Sequence, residues 1–531
     1  MKKIFTLLLT AIAIIAAEAQ TLNITVGSVT YKFPAAQTGD MNYTDGTTLT
    51  VMGKAFALSD ISSMTVDNTS VTDGTIGVSY NGTSAAVTVA GNIAKYITPT
   101  VSGAHVSIEQ SSDLADEITY TLTGTSTDGE FYMAGQYKAT LELNGVTLSN
   151  TTPVYSGAAV HIQNSKRIKV KVVAETTNTL SDAANGSQKG CLYIKGHAEF
   201  AQKGTLNVVG NTKHAIKTGE YMTLKNATIN VTSAVGDGIN CAEYFLMESG
   251  EINISGTGDD GIQCDLDGET STGETTDHEE EDSGNIYIGG GTIAINCTAK
   301  EVKGIKSDGG MNISGGTISV TTSGYGAEGI ESNSYMNITG GHVTVNAYDD
   351  AINAAQDLTI SDGYVYARAT NNDGIDANGN LYIKGGVVYA IGSSSPEVAI
   401  DANSEEQKKL YFTGGTLVAI GGLESGSSLS QTCYSASSWS KSTWYALYNG
   451  SDLALAFKTP SSGGSTIIVS TSGTTTLKTG VTVSGGTEYF DGVGNIGSTV
   501  SGGSSVSLSQ YTSSGSNQGG GPGGGGPGGG R

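Results

Sequence analysis

The chain has 531 residues with 50 acidic and 27 basic side chains, a formal net charge of −23, which argues against a nucleic-acid partner. Its 76 glycines and only 7 prolines suit many tight turns between paired strands. Five cysteines, an odd count without CxxC spacing, exclude a disulfide framework and a cysteine-ligated zinc site.

Taken in order, Lys2 and Lys3 precede an apolar run from Ile4 to Ala17, and Ala17-Glu18-Ala19 has the small-x-small form of a cleavage site. Residues 1–19 are therefore expected to be a bacterial secretory signal, making the protein secreted or held at the cell surface. An uncleaved anchor would want an apolar run of about 18 residues or more, and no later stretch is long and apolar enough to span a membrane. Residues 20–103 alternate in short segments such as Leu22-Asn23-Ile24-Thr25-Val26 and Ala86-Val87-Thr88-Val89, the pattern of a small β module. From residue 104 to about 203 the alternating segments continue with drifting spacing, as expected of the atypical terminal coils of a solenoid.

A short phrase then repeats: His214-Ala215-Ile216, Asp237-Gly238-Ile239, Asp260-Gly261-Ile262, Lys303-Gly304-Ile305, Glu328-Gly329-Ile330, Asp350-Ala351-Ile352, Asp373-Gly374-Ile375 and Val398-Ala399-Ile400. The isoleucines recur every 22–25 residues, apart from one step of 43 that contains an acidic insertion. Behind each isoleucine, apolar pairs two residues apart mark further strands, as in Met336 and Ile338, then Val343 and Val345. Glycine pairs such as Gly340-Gly341 and Gly385-Gly386 separate them as turns. Three strands and three turns per period predict an all-β, right-handed parallel β-helix over 104–422, with equivalent positions stacked about 4.8 Å apart. Leucine-rich repeats share the period but would need leucine and asparagine at their own spacing and often a helical segment, neither of which the sequence offers. Cys241 and Cys264 take the same inward slot in adjacent coils, as small core residues or as a pair. The insertion, Leu266 to Ser283, holds no aliphatic residue after Leu266 and is expected to project as a solvated loop, with His278 a weak metal hint.

Beyond 422 the repeat stops. Residues 423–511 read as a Ser/Thr-rich β segment, and 512–531 as a glycine-rich disordered tail. Trp439 and Trp444 lie in that segment, either filling a small core or offering flat rings to sugar faces.

The chemistry is expected beside the isoleucines. The residue before each is Gly or Ala, which suggests exposed backbone with room for something to lie against it. The residue after each faces outward and is polar, including Lys217, Asn240, Gln263, Lys306, Glu331, Asn353, Asp376 and Asp401. Just ahead of the strands stand Asp237, Asp259, Asp260, Glu328, Asp349, Asp350 and Asp373. Stacked about 5 Å apart at an effective dielectric near 20, each like-charge pair costs about 3 kcal/mol before screening. Either one carboxyl of each pair is protonated, or a hard cation such as calcium sits between them, or the charges are simply solvated turn residues. Asp259, Asp260, Asp349, Asp350, Asp373 and Asp376 are the main calcium candidates, with Asp237, Glu328 and Glu331 secondary.

These residues resemble a known family, secreted bacterial carbohydrate-binding proteins with a parallel β-helix similar to that of pectate lyases. The resemblance rests on Gly258-Asp259-Asp260-Gly261-Ile262, on the run from Asn372-Asp373-Gly374-Ile375-Asp376 to Gly385-Gly386, on the acidic insertion, and on the glycine-rich C-terminus. It implies a non-catalytic protein that binds plant cell-wall polysaccharide, cellulose or polygalacturonate (pectin), with calcium held by the β-helix aspartates. Lys306, Asn353, Asp401, Trp439 and Trp444 are the expected sugar contacts, and a monomer is the expected state. Two alternatives stand beside it. A calcium-dependent pectate-type lyase would need a basic residue to take the proton next to the uronate, for which Lys306, Lys217 and Arg368 are candidates. A structural surface adhesin would need neither.

Overall fold

The computed structural model describes residues 20–39, 41–266 and 282–513. The expected secretory signal, most of the acidic insertion including His278, and the tail from residue 514 lie outside the described residues. Among those described there is no α-helix; strands joined by turns make up two compact units, divided between Gly284 and Asn285.

In the first unit the β module expected ahead of the repeats is present. Thr21–Val26 pairs antiparallel with Val29–Pro34 and Ile61–Asp67, while Thr75–Asn81 pairs antiparallel with Ser84–Ala90 and parallel with Ile118–Ser126. From there every pairing between successive coils is parallel. The first strands of the coils, Glu130–Ala134, Val160–Gln163, Gly190–Ile194, His214–Thr218, Ile239–Ala242 and Ile262–Asp265, form one sheet in chain order. Second strands stack likewise, Ala198 on Met222 and Met222 on Phe245, as do third strands, Thr228 on Glu251.

The second unit repeats this plan in Lys303–Ser307, Glu328–Ser332, Ile352–Ala354 and Ile375–Ala377. Its third strands, Thr317–Thr322, His342–Ala347, Tyr364–Ala369, Val387–Ile391 and Thr416–Ile420, are also parallel and in register. On that sheet Tyr366, Tyr389 and Val418 are buried against Tyr445, Leu455, Phe457 and Phe490 of the C-terminal segment, whose six-stranded sheet is antiparallel.

The isoleucine column is where the repeat places it. Ile216 pairs with Ile239 and Ile239 with Ile262 in the first unit; Ile305, Ile330, Ile352, Ile375 and Ile400 align in the second, and all are fully buried. Cys241 faces Cys264 in this register, and both are buried free thiols. The second glycine of each turn pair has positive φ, for example Gly341 at 84° and Gly386 at 78°, a conformation in which a β-carbon is strained.

The residue before each isoleucine corrects one expectation. These Gly and Ala positions are buried rather than open to a ligand. A β-carbon on Gly329 would come within 2.1 Å of Val345 Cγ1 and 2.4 Å of the Ala351 carbonyl oxygen of the next coil. Small residues are required there because the third strand packs down on the first and the coils approach closely, which is a packing constraint.

Burial in a continuous column predicts a large cost for a cavity. Ile352→Ala should lose about 2–5 kcal/mol in urea denaturation, whereas Val235→Ala, at a side chain that is 59% exposed, should change stability by less than about 0.5 kcal/mol. Equal effects at the two positions would contradict the column.

Candidate functional site

Because side chains alternate along a strand, the residue after each column position points away from the core. In the first unit the register carries this outward row through Tyr132, His161, Tyr193, Lys217, Asn240 and Gln263, one per coil. The first three were not singled out by the repeat. His161 meets Tyr132 edge-on at 4.9 Å and Tyr193 at 4.8 Å between ring centroids, and Tyr155 stacks on Tyr132 at 5.5 Å. Ser156 Oγ lies 2.7 Å from His161 Nδ1 and Gln163 Oε1 3.0 Å from Nε2, fixing the ring. Burial holds the His161 pKa below its usual value, so the imidazole is neutral at pH 7.

The row then turns polar. Lys217 Nζ donates to Asn240 Oδ1 and lies 3.5 Å from Asp265 Oδ2, and Asn240 Nδ2 donates to Asp237 Oδ2 at 2.6 Å. Asp237 in turn accepts the Asp260 N–H through Oδ1 at 3.1 Å, a bond from one coil to the next. His214 Nδ1 lies 3.2 Å from the same carboxylate, yet it accepts the Asp237 N–H at 3.1 Å, so that nitrogen carries no proton toward the acid. Asp237, Asp259 and Asp260 each offer an oxygen within 4.8 Å of the others. Asp237 and Asp260 are buried and Asp259 is exposed. Three hard oxygen donors with one side open to solvent fit a calcium ion in chemistry and access.

In the second unit the outward row runs Lys306, Glu331, Asn353, Asp376, Asp401 and Glu424, all half-buried. The bridge from Ile400 to Leu423 shows one further coil register than the repeat suggested, and it adds Glu424. The acids ahead of the strands bond along the stack: Asp350 Oδ1 accepts the Asp373 N–H at 2.9 Å, and Asp373 Oδ1 accepts the Val398 N–H at 2.5 Å. Asn353 Nδ2 donates to Asp350 Oδ2 at 3.2 Å, so this expected sugar contact serves the acidic cluster.

Burial, followed by the charges of Asp376 and Asp373, pushes the Asp350 carboxyl well above the usual range. Asp373 is raised to about 7, first by burial and then by Asp376, Glu397 and Glu424, against the lowering effect of the Val398 bond. Burial likewise raises Asp376 to about 6. Asp401 is pushed up by burial and by its hydrogen bond to Glu424. Glu328 is raised by burial and by Glu331, although Lys303 Nζ sits 2.7 Å from it and 3.7 Å from Glu331. Asp349, at the rim, adds to the repulsion on Glu328 and Glu397. Among the described residues no three of these carboxylates converge as tightly as Asp237, Asp259 and Asp260.

The remaining candidates separate from these rows. Arg368 lies within the third strand Tyr364–Ala369, opposite Asn346, on a different sheet from Lys306. Trp439 packs against the hydrophobic cluster of the C-terminal segment and donates its indole N–H to the Gly464 carbonyl at 2.8 Å. Trp444 is half-buried at the start of Trp444–Asn449, opposite Lys458.

Three comparisons with known proteins bear on this geometry. Among curated proteins none matches. A solved structure, described as that of the polysaccharide lyase-like protein from C. thermocellum in a gadolinium derivative, aligns with a TM-score of 0.38 and 22% identity. The alignment covers 48% of this chain and 94% of that one. The profile of a family described as carbohydrate-binding domain-containing protein matches residues 102–374, just over half of the chain and most of its parallel coils. The chain belongs to that carbohydrate-binding domain family, in the form of a parallel β-helix.

Proposed function

We propose that the chain is an exported, non-catalytic binder of plant cell-wall polysaccharide, which lies along the outward row of the first unit. The observation that carries this is the continuity of the row: the aromatic stretch Tyr132, His161, Tyr193 leads through Lys217 to Asn240, which is bonded to the acidic corner. Tyr132 and His161, both half-buried, offer apolar ring surface and hydrogen bonds to a sugar, while the buried Tyr193 supports His161 from the next coil. Membership of the carbohydrate-binding domain family supports the same reading.

Calcium belongs to the proposal. Asp237, Asp259 and Asp260 would hold the ion, supplying carboxylate oxygens, and the ion would bridge a uronate carboxylate to a protein of net charge −23. In the second unit burial and neighbouring carboxylates raise the pKa of Asp350, Asp373, Asp376 and Asp401. A cation there would relieve the repulsion. Polygalacturonate thus fits better than cellulose, which gives the acidic corner nothing to bridge.

Retention on the two polymers tests this. Polygalacturonate should hold the protein in calcium and release it in chelator, with cellulose held more weakly in both. Tyr132→Ala should weaken retention by about two- to tenfold, from a stacking contribution of about 0.5–1.5 kcal/mol. Wild-type retention by Tyr132→Ala together with indifference to chelator would overturn the proposal.

The raised acids give a pH dependence of defined sign. Between the unfolded carboxyl pKa of about 3.9 and the folded Asp373 value of about 7, the folded chain keeps a proton that the unfolded chain has released. Stability therefore falls as pH rises through this window, and the loss is complete above it. In chelator, Asp373→Asn should melt close to wild type near pH 5 and above it near pH 8, because it lacks the charge; calcium should close that gap at the higher pH. Parallel melting of the two proteins at both values would contradict the assignment.

A further inference from the structure

A second group of potential ligands lies inside the first unit, at turns the outward row does not use. His197, Glu220 and Glu243 come from three successive coils, each from the turn between the first and second strands. These turns join Gly190–Ile194 to Ala198–Ala201, His214–Thr218 to Met222–Leu224, and Ile239–Ala242 to Tyr244–Met247. The second-strand register pairs Ala198 with Met222 and Met222 with Phe245. Glu220 and Glu243 therefore sit at the same level, two residues before their paired strand positions, and His197 sits one residue further along. That offset brings the imidazole of one coil to the carboxylates of the next two.

All three side chains are shut off from solvent: His197 and Glu220 are 0% exposed and Glu243 2%. A ring nitrogen of His197 and an oxygen of each glutamate lie within 4.8 Å of one another. His197 Nε2 is 3.4 Å from Glu243 Oε2, beyond ordinary hydrogen-bond length, and neither ring nitrogen makes a hydrogen bond. The ring packs against Tyr221, tilted at 49° with centroids 4.4 Å apart; Tyr221 stacks on Tyr244 at 4.8 Å, and Glu243 Oε2 accepts the Tyr221 N–H at 3.3 Å.

A buried imidazole without a hydrogen bond at either nitrogen is costly. A divalent ion bound by a neutral imidazole and two carboxylates neutralises the group and occupies the histidine lone pair. We propose that His197, Glu220 and Glu243 bind a divalent transition metal ion of the Zn2+ class. Imidazole nitrogen with carboxylate oxygen suits such an ion, whereas calcium prefers oxygen donors throughout. Full burial makes the site structural, a tie across three coils, and separate from the calcium corner.

The test uses the full chain. Metal content is measured on the purified protein, which is then stripped with 1,10-phenanthroline, a chelator that takes transition ions and leaves calcium, and refilled with Co2+. The proposal expects release of a stoichiometric transition ion or uptake of one on refilling, and a melting temperature that falls on stripping and recovers on refilling. It also expects visible d–d absorption from bound Co2+ that is lost in His197→Gln and Glu220→Gln. If those variants fail to fold, the metal content, cobalt spectrum and melting shift of the wild type decide alone. No transition metal in the purified protein, no cobalt band and no melting shift would overturn the proposal.

Discussion

Stacking like on like is the constraint on which the rest depends. A coil of about 23 residues cannot bury its apolar face alone, so it must lie on a neighbour in register, at the strand spacing of about 4.8 Å. For the isoleucine column this is wholly favourable, because identical side chains above one another fill the core without voids. For any charged position it is unfavourable, because the same register places carboxylate above carboxylate. Asp350, Asp373 and Asp376 show the consequence, each held above its usual pKa by burial and by acids of its own cluster or the next coil.

The chain offsets this crowding in two ways. One oxygen of Asp237, Asp350 and Asp373 accepts a backbone N–H one coil later, from Asp260, Asp373 and Val398. Such a bond to an ionised acceptor is among the stronger kind, so the aspartates serve the turn whether or not an ion is bound. The other oxygen is then free to be bonded by an outward asparagine, Asn240 or Asn353, or to face a cation. Turn residue and metal ligand are therefore compatible roles for one side chain, since a carboxylate has two oxygens to divide between them.

Much of this was legible in the sequence where the period is strict. The phrase around Ile239, Ile262, Ile330, Ile352 and Ile375 revealed the solenoid, its core column and its outward polar residues, because the spacing of 22–25 residues ties all three together. What escaped lies where the spacing drifts. Tyr132, His161 and Tyr193 occupy the outward row, but 29 and 32 residues separate them, since longer turns between the same strands change the period without changing the register. Ala159-Val160-His161 and Cys191-Leu192-Tyr193 preserve the small, aliphatic, outward order of the phrase, and that order was the available signal. Leu423-Glu424 repeats it once more, 23 residues after Ile400. His197, Glu220 and Glu243 carry no such signal, because their convergence depends on turns whose conformation the strand pattern does not specify.

The central claim is that polysaccharide runs along the aromatic and polar row toward a calcium-filled corner. A crystal structure grown with calcium and a galacturonate oligosaccharide tests it most directly. The account predicts sugar rings against Tyr132 and His161, and an ion within bonding distance of Asp237, Asp259 and Asp260. Oligosaccharide bound elsewhere on the chain, with no ion among those three aspartates, would contradict it.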